Sequence, residues 1–171
     1  YNTLITNFAA ADRIFDILDQ EPDIENIGKA PKMNRIEGKV EFRNIDFSYN
    51  VGGKVLNNIN FKVNPGDKIA LVGATGSGKT TIISLLSRFY DPTDGEILVD
   101  GKNIKYVDLY SYRSQMGIML QDTFLFSSTI MENIRYGRLD ATDEEVINAA
   151  KAVNAHEFIM KLENGYDTEV N

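Results

Sequence analysis

The eight residues GATGSGKT, Gly73 to Thr80, constrain this chain more than any other feature. They match the pattern G-x-x-x-x-G-K-[ST] in full, which a chain of this length reaches by chance on the order of once in a hundred times or less. Each position has a physical reason. Gly73, Gly76 and Gly78 let the backbone wrap closely round a phosphate, through φ values that other residues resist. The successive N–H groups from Thr75 through Ser77 to Gly78 then point inward as an anion nest. A helix starting near Lys79 adds its positive dipole end at the same place. Lys79 is expected to reach the β- and γ-phosphates as a point charge, the Thr80 hydroxyl to bind Mg²⁺, and Thr81 to bond an α-phosphate oxygen. The context fits: the apolar run KIALV precedes the loop, and TTIISLLSRFY follows it with Ile82, Ile83, Leu85, Leu86 and Phe89 on a helical face.

The rest of the chain sorts by period. Tyr1, Leu4, Phe8, Ala11, Phe15 and Leu18 form one helical stripe. This is either a helix packed on the domain or the end of a longer one, as the opening Tyr1 suggests. Residues 21–36 carry prolines, glycine and mixed charge without a period, which predicts a linker. Strand alternation begins at Val40 and Phe42 and changes parity at Ile45, Phe47 and Tyr49, which places a bulge near Arg43 and Asn44. Ile59, Phe61 and Val63 alternate again. KIALVG at 68–73 and MGIMLQ at 116–121 are short, nearly unbroken apolar runs of the kind that suits buried parallel strands. GEILVDG at 95–101 reads as a strand closed by an Asp-Gly turn. Beyond residue 128 the pattern is helical, with Thr142 and Glu145 spaced as a capping box. Strands first, helices later and parallel runs between them predict an α/β domain with an added antiparallel layer.

Composition narrows the function. Cysteine is absent, which removes disulfides, thiolate metal sites and a cysteine nucleophile. One histidine argues against a histidine metal centre. The net charge of -7 argues against nucleic acid as a partner, since such binding needs a basic face. No apolar window is long enough to cross a membrane, and no secretory leader opens the chain. A GTPase would need an N-K-x-D segment and a D-x-x-G switch, and both are missing.

Read together, VEFRNIDFSY, GATGSGKTT, FYDPTDGEILVDG, IMLQDTFLFSSTIMENI and FIMKLENGYDTEV resemble the nucleotide-binding domain of an exporter-type ATP-binding cassette (ABC) transporter. The resemblance covers 37–171, and AADRIFDILDQEP resembles the stretch joining the last membrane helix to that domain. It implies a P-loop NTPase core with a partly parallel sheet, an antiparallel β layer and the start of a helical subdomain. It divides the chain into 1–20, the end of a membrane helix, 21–36, a linker, and 37–171, the front of the domain. It implies ATP and Mg²⁺ as ligands. Tyr49 matches the aromatic that stacks on adenine, and Val55 the residue covering its other edge. Gln121 matches the glutamine that completes the Mg²⁺ shell, touches the attacking water and acts as a hinge, so Lys79 and Gln121 are the catalytic candidates. Asp122 to Ser127, with Phe124, Leu125 and Phe126, falls where membrane-domain coupling helices dock. A second nucleotide-binding domain, identical or different, is the other partner, at the cytoplasmic face of a membrane.

Three features are set aside. EILVD ending at Asp100 looks like an acid-terminated strand that binds Mg²⁺, but Gly101 makes it a hairpin turn. His156 lies in a helical run, at the wrong place for the family's switch histidine. Asp143, Glu144 and Glu145 form a helix N-terminus favoured by the dipole. The family's L-S-G-G-Q-type signature and catalytic glutamate are not among these residues. The segment alone is therefore expected to bind Mg·ATP without turning it over. A soluble P-loop kinase or NTPase, and a nucleotide-gated module that does not hydrolyse, are the alternatives.

Overall fold

The computed structural model describes residues 2–49, 53–119 and 124–170, and these divide into two compact units, Tyr1–Gly117 and Ile118–Asn171. The first is built on a four-stranded antiparallel sheet of β1 (Val40–Ser48), β2 (Lys54–Val63), β3 (Asp94–Val99) and β4 (Lys102–Asn103), in the order β2-β1-β3-β4. β1 is central because its inward side chains, Phe42, Ile45 and Phe47, are all buried. The expected bulge is there: pairing with both neighbours shifts after Phe42 and Arg43, and Asn44 takes φ 50°. Gly95 packs against it. A Cβ on Gly95 would lie 2.4 Å from the Arg43 and Asn44 carbonyl oxygens, so only glycine lets β3 approach.

The Asp-Gly turn also forms as expected, with Asp100 at φ 51° and Gly101 at φ 77°, the pair of positive values that a tight hairpin needs. Its side chain has a second task. The Asp100 carboxylate accepts the backbone N–H groups of Glu37, Gly38 and Lys39 at 2.7–3.1 Å. The acid is thus a structural clamp on the chain entering β1.

Helix α1 (Asn2–Leu18) stands with Phe8, Phe15 and Leu18 of that stripe exposed. The segment after it is pinned despite its linker composition. Met33 is buried in the sheet's core, its N–H donating to Ser111 Oγ, and the Ile36 N–H donates to Gln115 Oε1. α2 (Lys79–Leu86) covers the sheet with Leu85, fully buried, and with Ile82 and Leu86 beside it. α3 (Leu109–Arg113), capped by the Asp108 carboxylate, follows a 3-10 turn at Ile104–Tyr106.

Two expected strands are not found. Neither 68–73 nor the described part of 116–121 is a strand, and Ile69, Val72, Ile118 and Met119 are exposed. Runs that are apolar on both faces form parallel strands only between neighbours that supply ladders and cover both faces. Every pairing among the described residues is antiparallel, and none reaches these runs.

The second unit joins β5 (Ser128–Thr129) to β6 (Glu169–Val170), with α4 (Ile130–Arg135), α5 (Asp143–Ala152) and α6 (His156–Ile159). Its core is Ala150, Ile159 and Tyr166 with Ile130, Ile134 and Ile147. The Thr142–Glu145 capping box is present in both directions. His156 is half-buried, with Nδ1 3.0 Å from the Tyr166 hydroxyl. Among the described residues no helix is long and apolar enough to cross a membrane.

Candidate nucleotide-binding site

The 73–78 loop ends at Gly78, which caps α2 in the left-handed region at φ 86°. An added Cβ there would lie 2.6 Å from Leu56 Cδ2 and 3.6 Å from Val55 Cγ1. β2 therefore backs the loop, and glycine is demanded by the close approach as well as by φ. No side chain caps this helix end, so its first N–H groups lack intrahelical acceptors and, with the dipole, favour an anion. Lys79 curls back over the loop: Nζ donates to the Gly73 carbonyl at 2.9 Å and the Ala74 carbonyl at 2.8 Å, and lies 3.4 Å from Ser77 Oγ. Thr75, Gly76, Ser77 and Thr80 are exposed around it. These groups set hydroxyl, ammonium and backbone N–H donors around the helix end, an arrangement that suits an anion.

The far end of α2 is held firmly. Tyr112 donates its hydroxyl to the Leu86 carbonyl, and Arg113 donates to the carbonyls of Ser87 and Arg88. Those of Leu86 and Ser87 are among the carbonyls that a helix C-terminus leaves unpaired, and Arg88 follows them. Burial pushes the Tyr112 phenol up, and burial followed by the nearby Arg88 guanidinium lowers Arg113 from its ordinary value. Arginine still keeps its charge, so it complements the negative helix end. Arg88 itself is buried, with Nε bonded to Asp91 at 3.1 Å. Nothing in the residue spacing marks Tyr112 or Arg113 as supports of α2; their partners are backbone atoms some 25 residues away.

Tyr49 lies one residue past β1, 37% exposed, with its hydroxyl 3.1 Å from Thr81 Oγ1. The candidate aromatic and the phosphate-loop helix are thus in contact, and Val55 borders the same loop through β2. Thr81 is buried and faces Tyr49, whereas Thr80 is open. The Thr80 hydroxyl is a hard oxygen of the kind Mg²⁺ takes. Among the described residues no group of three His, Asp or Glu could cage a metal. The Thr80 hydroxyl thus fits one place in the shell of a Mg²⁺ ion. Gln121, Asp122 and Thr123 lie outside the described residues.

In the second unit Phe124, Leu125 and Phe126 are exposed, yet their loop is tied down. Asn133 accepts the Phe126 N–H at 2.8 Å and donates to the Phe126 and Thr129 carbonyls at 2.9 Å. Phe126 packs on Tyr136 at 4.5 Å. Leu125 also lines an apolar groove of about 440 Å³ with Ile130, Phe158 and Ile159.

Comparison with known proteins shows the family and the fold. Residues 56–168 match the family model described as ABC transporter. The chain is 50% identical over 168 residues to YfiC of Bacillus subtilis, an uncharacterized ABC transporter ATP-binding protein, covering 98% of the chain and 28% of that protein. It is 46% identical over 169 residues to the ATP-dependent lipid A-core flippase of Syntrophus aciditrophicus, covering 99% of the chain and 28% of the flippase. A solved bacterial Atm1-family ABC exporter with ATP bound superposes with a TM-score of 0.84 at 39% identity, over 100% of this chain and 30% of that one. The chain thus spans under a third of the length of each of these relatives. The α/β fold is that of the exporters' nucleotide-binding part, a P-loop NTPase fold. On its residues, its loop and these matches, the chain belongs to the ABC transporter family.

Proposed function

We propose that this chain binds Mg·ATP and, within a longer exporter, couples ATP binding and hydrolysis to movement of a substrate across a membrane. The observation that carries the reading is the uncapped N-terminus of α2 beneath Lys79, with Tyr49 bonded to the same helix. Gly76 to Gly78 and Thr75 wrap the phosphates. Lys79 neutralises the β- and γ-phosphates, and Thr80 holds Mg²⁺, which when bound draws charge from the transferred phosphoryl group. Tyr49 stacks on the base and Val55 borders it. Gln121 positions water and metal. Phosphoryl transfer depends mostly on such positioning and on charge stabilisation, so hydrolysis also calls on a second nucleotide-binding domain. The apolar loop at Phe124 to Phe126 serves as the docking surface for coupling helices of the membrane domain, and the chain works at the cytoplasmic face of the membrane.

Calorimetric titration with Mg·ATP tests the site. Lys79→Ala should abolish measurable binding, and Tyr49→Ala should weaken it by about tenfold, the worth of one good stacking contact. Unchanged affinity in both variants would refute the assignment.

A further inference from the structure

Tyr49 sits where three groups meet that the sequence keeps apart. Its ring meets Phe47 at 4.8 Å and 85°, and Tyr90 at 5.2 Å and 90°. Phe47 and Tyr90 also touch, at 5.7 Å and 56°. Near-perpendicular contacts at these separations are a favoured arrangement of aromatic rings. The Tyr49 hydroxyl reaches Thr81 Oγ1. Phe47 is buried in β1, whereas Tyr90 is 42% exposed on the turn that leaves α2. One helix therefore brings a group to Tyr49 from each of its ends, Thr81 from the first turn and Tyr90 from just past the last.

We propose that Tyr90 is a positioning residue for nucleotide binding, holding the Tyr49 ring in the orientation in which it stacks on a base. The proposal rests on the reading of Tyr49 as the base-stacking residue. A tyrosine just past a strand end can turn about two side-chain bonds, and an unsupported ring loses that freedom only when the ligand arrives. Phe47 limits one motion from the core side. Tyr90 limits the other, and its removal would leave the outer side of the ring open to water. The hydroxyl end is fixed separately. A hydroxyl has one proton to donate and two lone pairs to accept with. Thr81 can accept from Tyr49 and still donate to a phosphate oxygen. The base end and the phosphate end of the site then share one hydrogen-bonded link, and Tyr90 keeps its aromatic side in register.

The test compares two ligands on the full-length protein by calorimetry: Mg·ATP, and magnesium tripolyphosphate, which has the phosphates and no base. Tyr90→Leu is expected to lower Mg·ATP affinity by about three- to tenfold, the scale of one side chain left to be ordered on binding, with tripolyphosphate affinity unchanged. Tyr90→Phe keeps the ring and should bind Mg·ATP as the parent does. Equal losses for both ligands would show that Tyr90 supports only the fold, and unchanged Mg·ATP affinity in Tyr90→Leu would show that it supports nothing at the site; either overturns the proposal. So would a Tyr90→Phe loss as large as that of Tyr90→Leu. Should Tyr90→Leu not fold, Tyr90→Met is read by the same criteria. Tyr49→Ala separates the two layers of the argument. If it spares Mg·ATP affinity, the stacking reading itself fails and the proposal with it. If it costs affinity and Tyr90→Leu does not, only the positioning role fails.

Discussion

At the residue scale the site depends on a few positions where one atom more cannot be fitted. Gly78 is the sharpest. Its φ of 86° disfavours any side chain, and a Cβ would press on Leu56 at 2.6 Å. Gly78→Ala is expected to cost about 1–3 kcal/mol of stability, and to lower Mg·ATP affinity more than tenfold by moving the helix end. Thermal melts and titration check this, and an alanine variant binding like the parent would mean that the loop re-forms without its glycine. The glycine requirement is legible in the motif. The contact with Leu56 is not, because β2 reaches the loop only through tertiary folding. Asp100 shows the same division. The Asp-Gly pair announces the turn, while the three N–H groups that its carboxylate collects belong to residues more than 60 positions earlier.

At the scale of elements, local signals are reliable where the energetics are local. The Thr142–Glu145 capping box closes two hydrogen bonds within four residues, and it is present as read. Thr142→Ala should destabilise α5 by about 1 kcal/mol. Hydrogen exchange would show the loss as faster amide exchange confined to the first turns of α5, with β1 and β3 unaffected. A uniform change across the chain would contradict a local cap. The β1 bulge is equally local, since a parity change in the apolar pattern requires an extra residue. α2 is a mixed case. Its start follows from the glycine-to-lysine transition, whereas its end is held by Tyr112 and Arg113 from α3, donors that no spacing rule selects.

At the scale of the whole molecule the apolar runs at 68–73 and 116–121 are instructive. Their composition suits parallel strands, yet a strand is a relation between chains and not a property of one run. Val72 is 93% exposed and Met119 91% exposed, with no ladder on either. In the 171-residue segment the amides of Ile69 to Val72 are therefore expected to exchange at least about a hundredfold faster than those of Phe42 and Ile97, which lie in the paired core. Comparable protection would mean that the run is paired after all. Composition acts at this scale too. The net charge of -7 bears on solubility and on partners, and says nothing of which loop holds a phosphate.

The amino-acid sequence by itself determined the phosphate loop, the bulge, the Asp-Gly turn and the capping box, because each is written in residues close together whose physics is local, and it determined the family through several such segments read together. Tertiary structure alone decided that Met33 enters the core from a segment of linker composition, that Asp100 clamps the entry to β1, and that Tyr49 rests between Phe47, Tyr90 and Thr81. These contacts join residues far apart in the chain. Their partners are chosen by how the sheet and α2 close on each other, which no short window of sequence specifies.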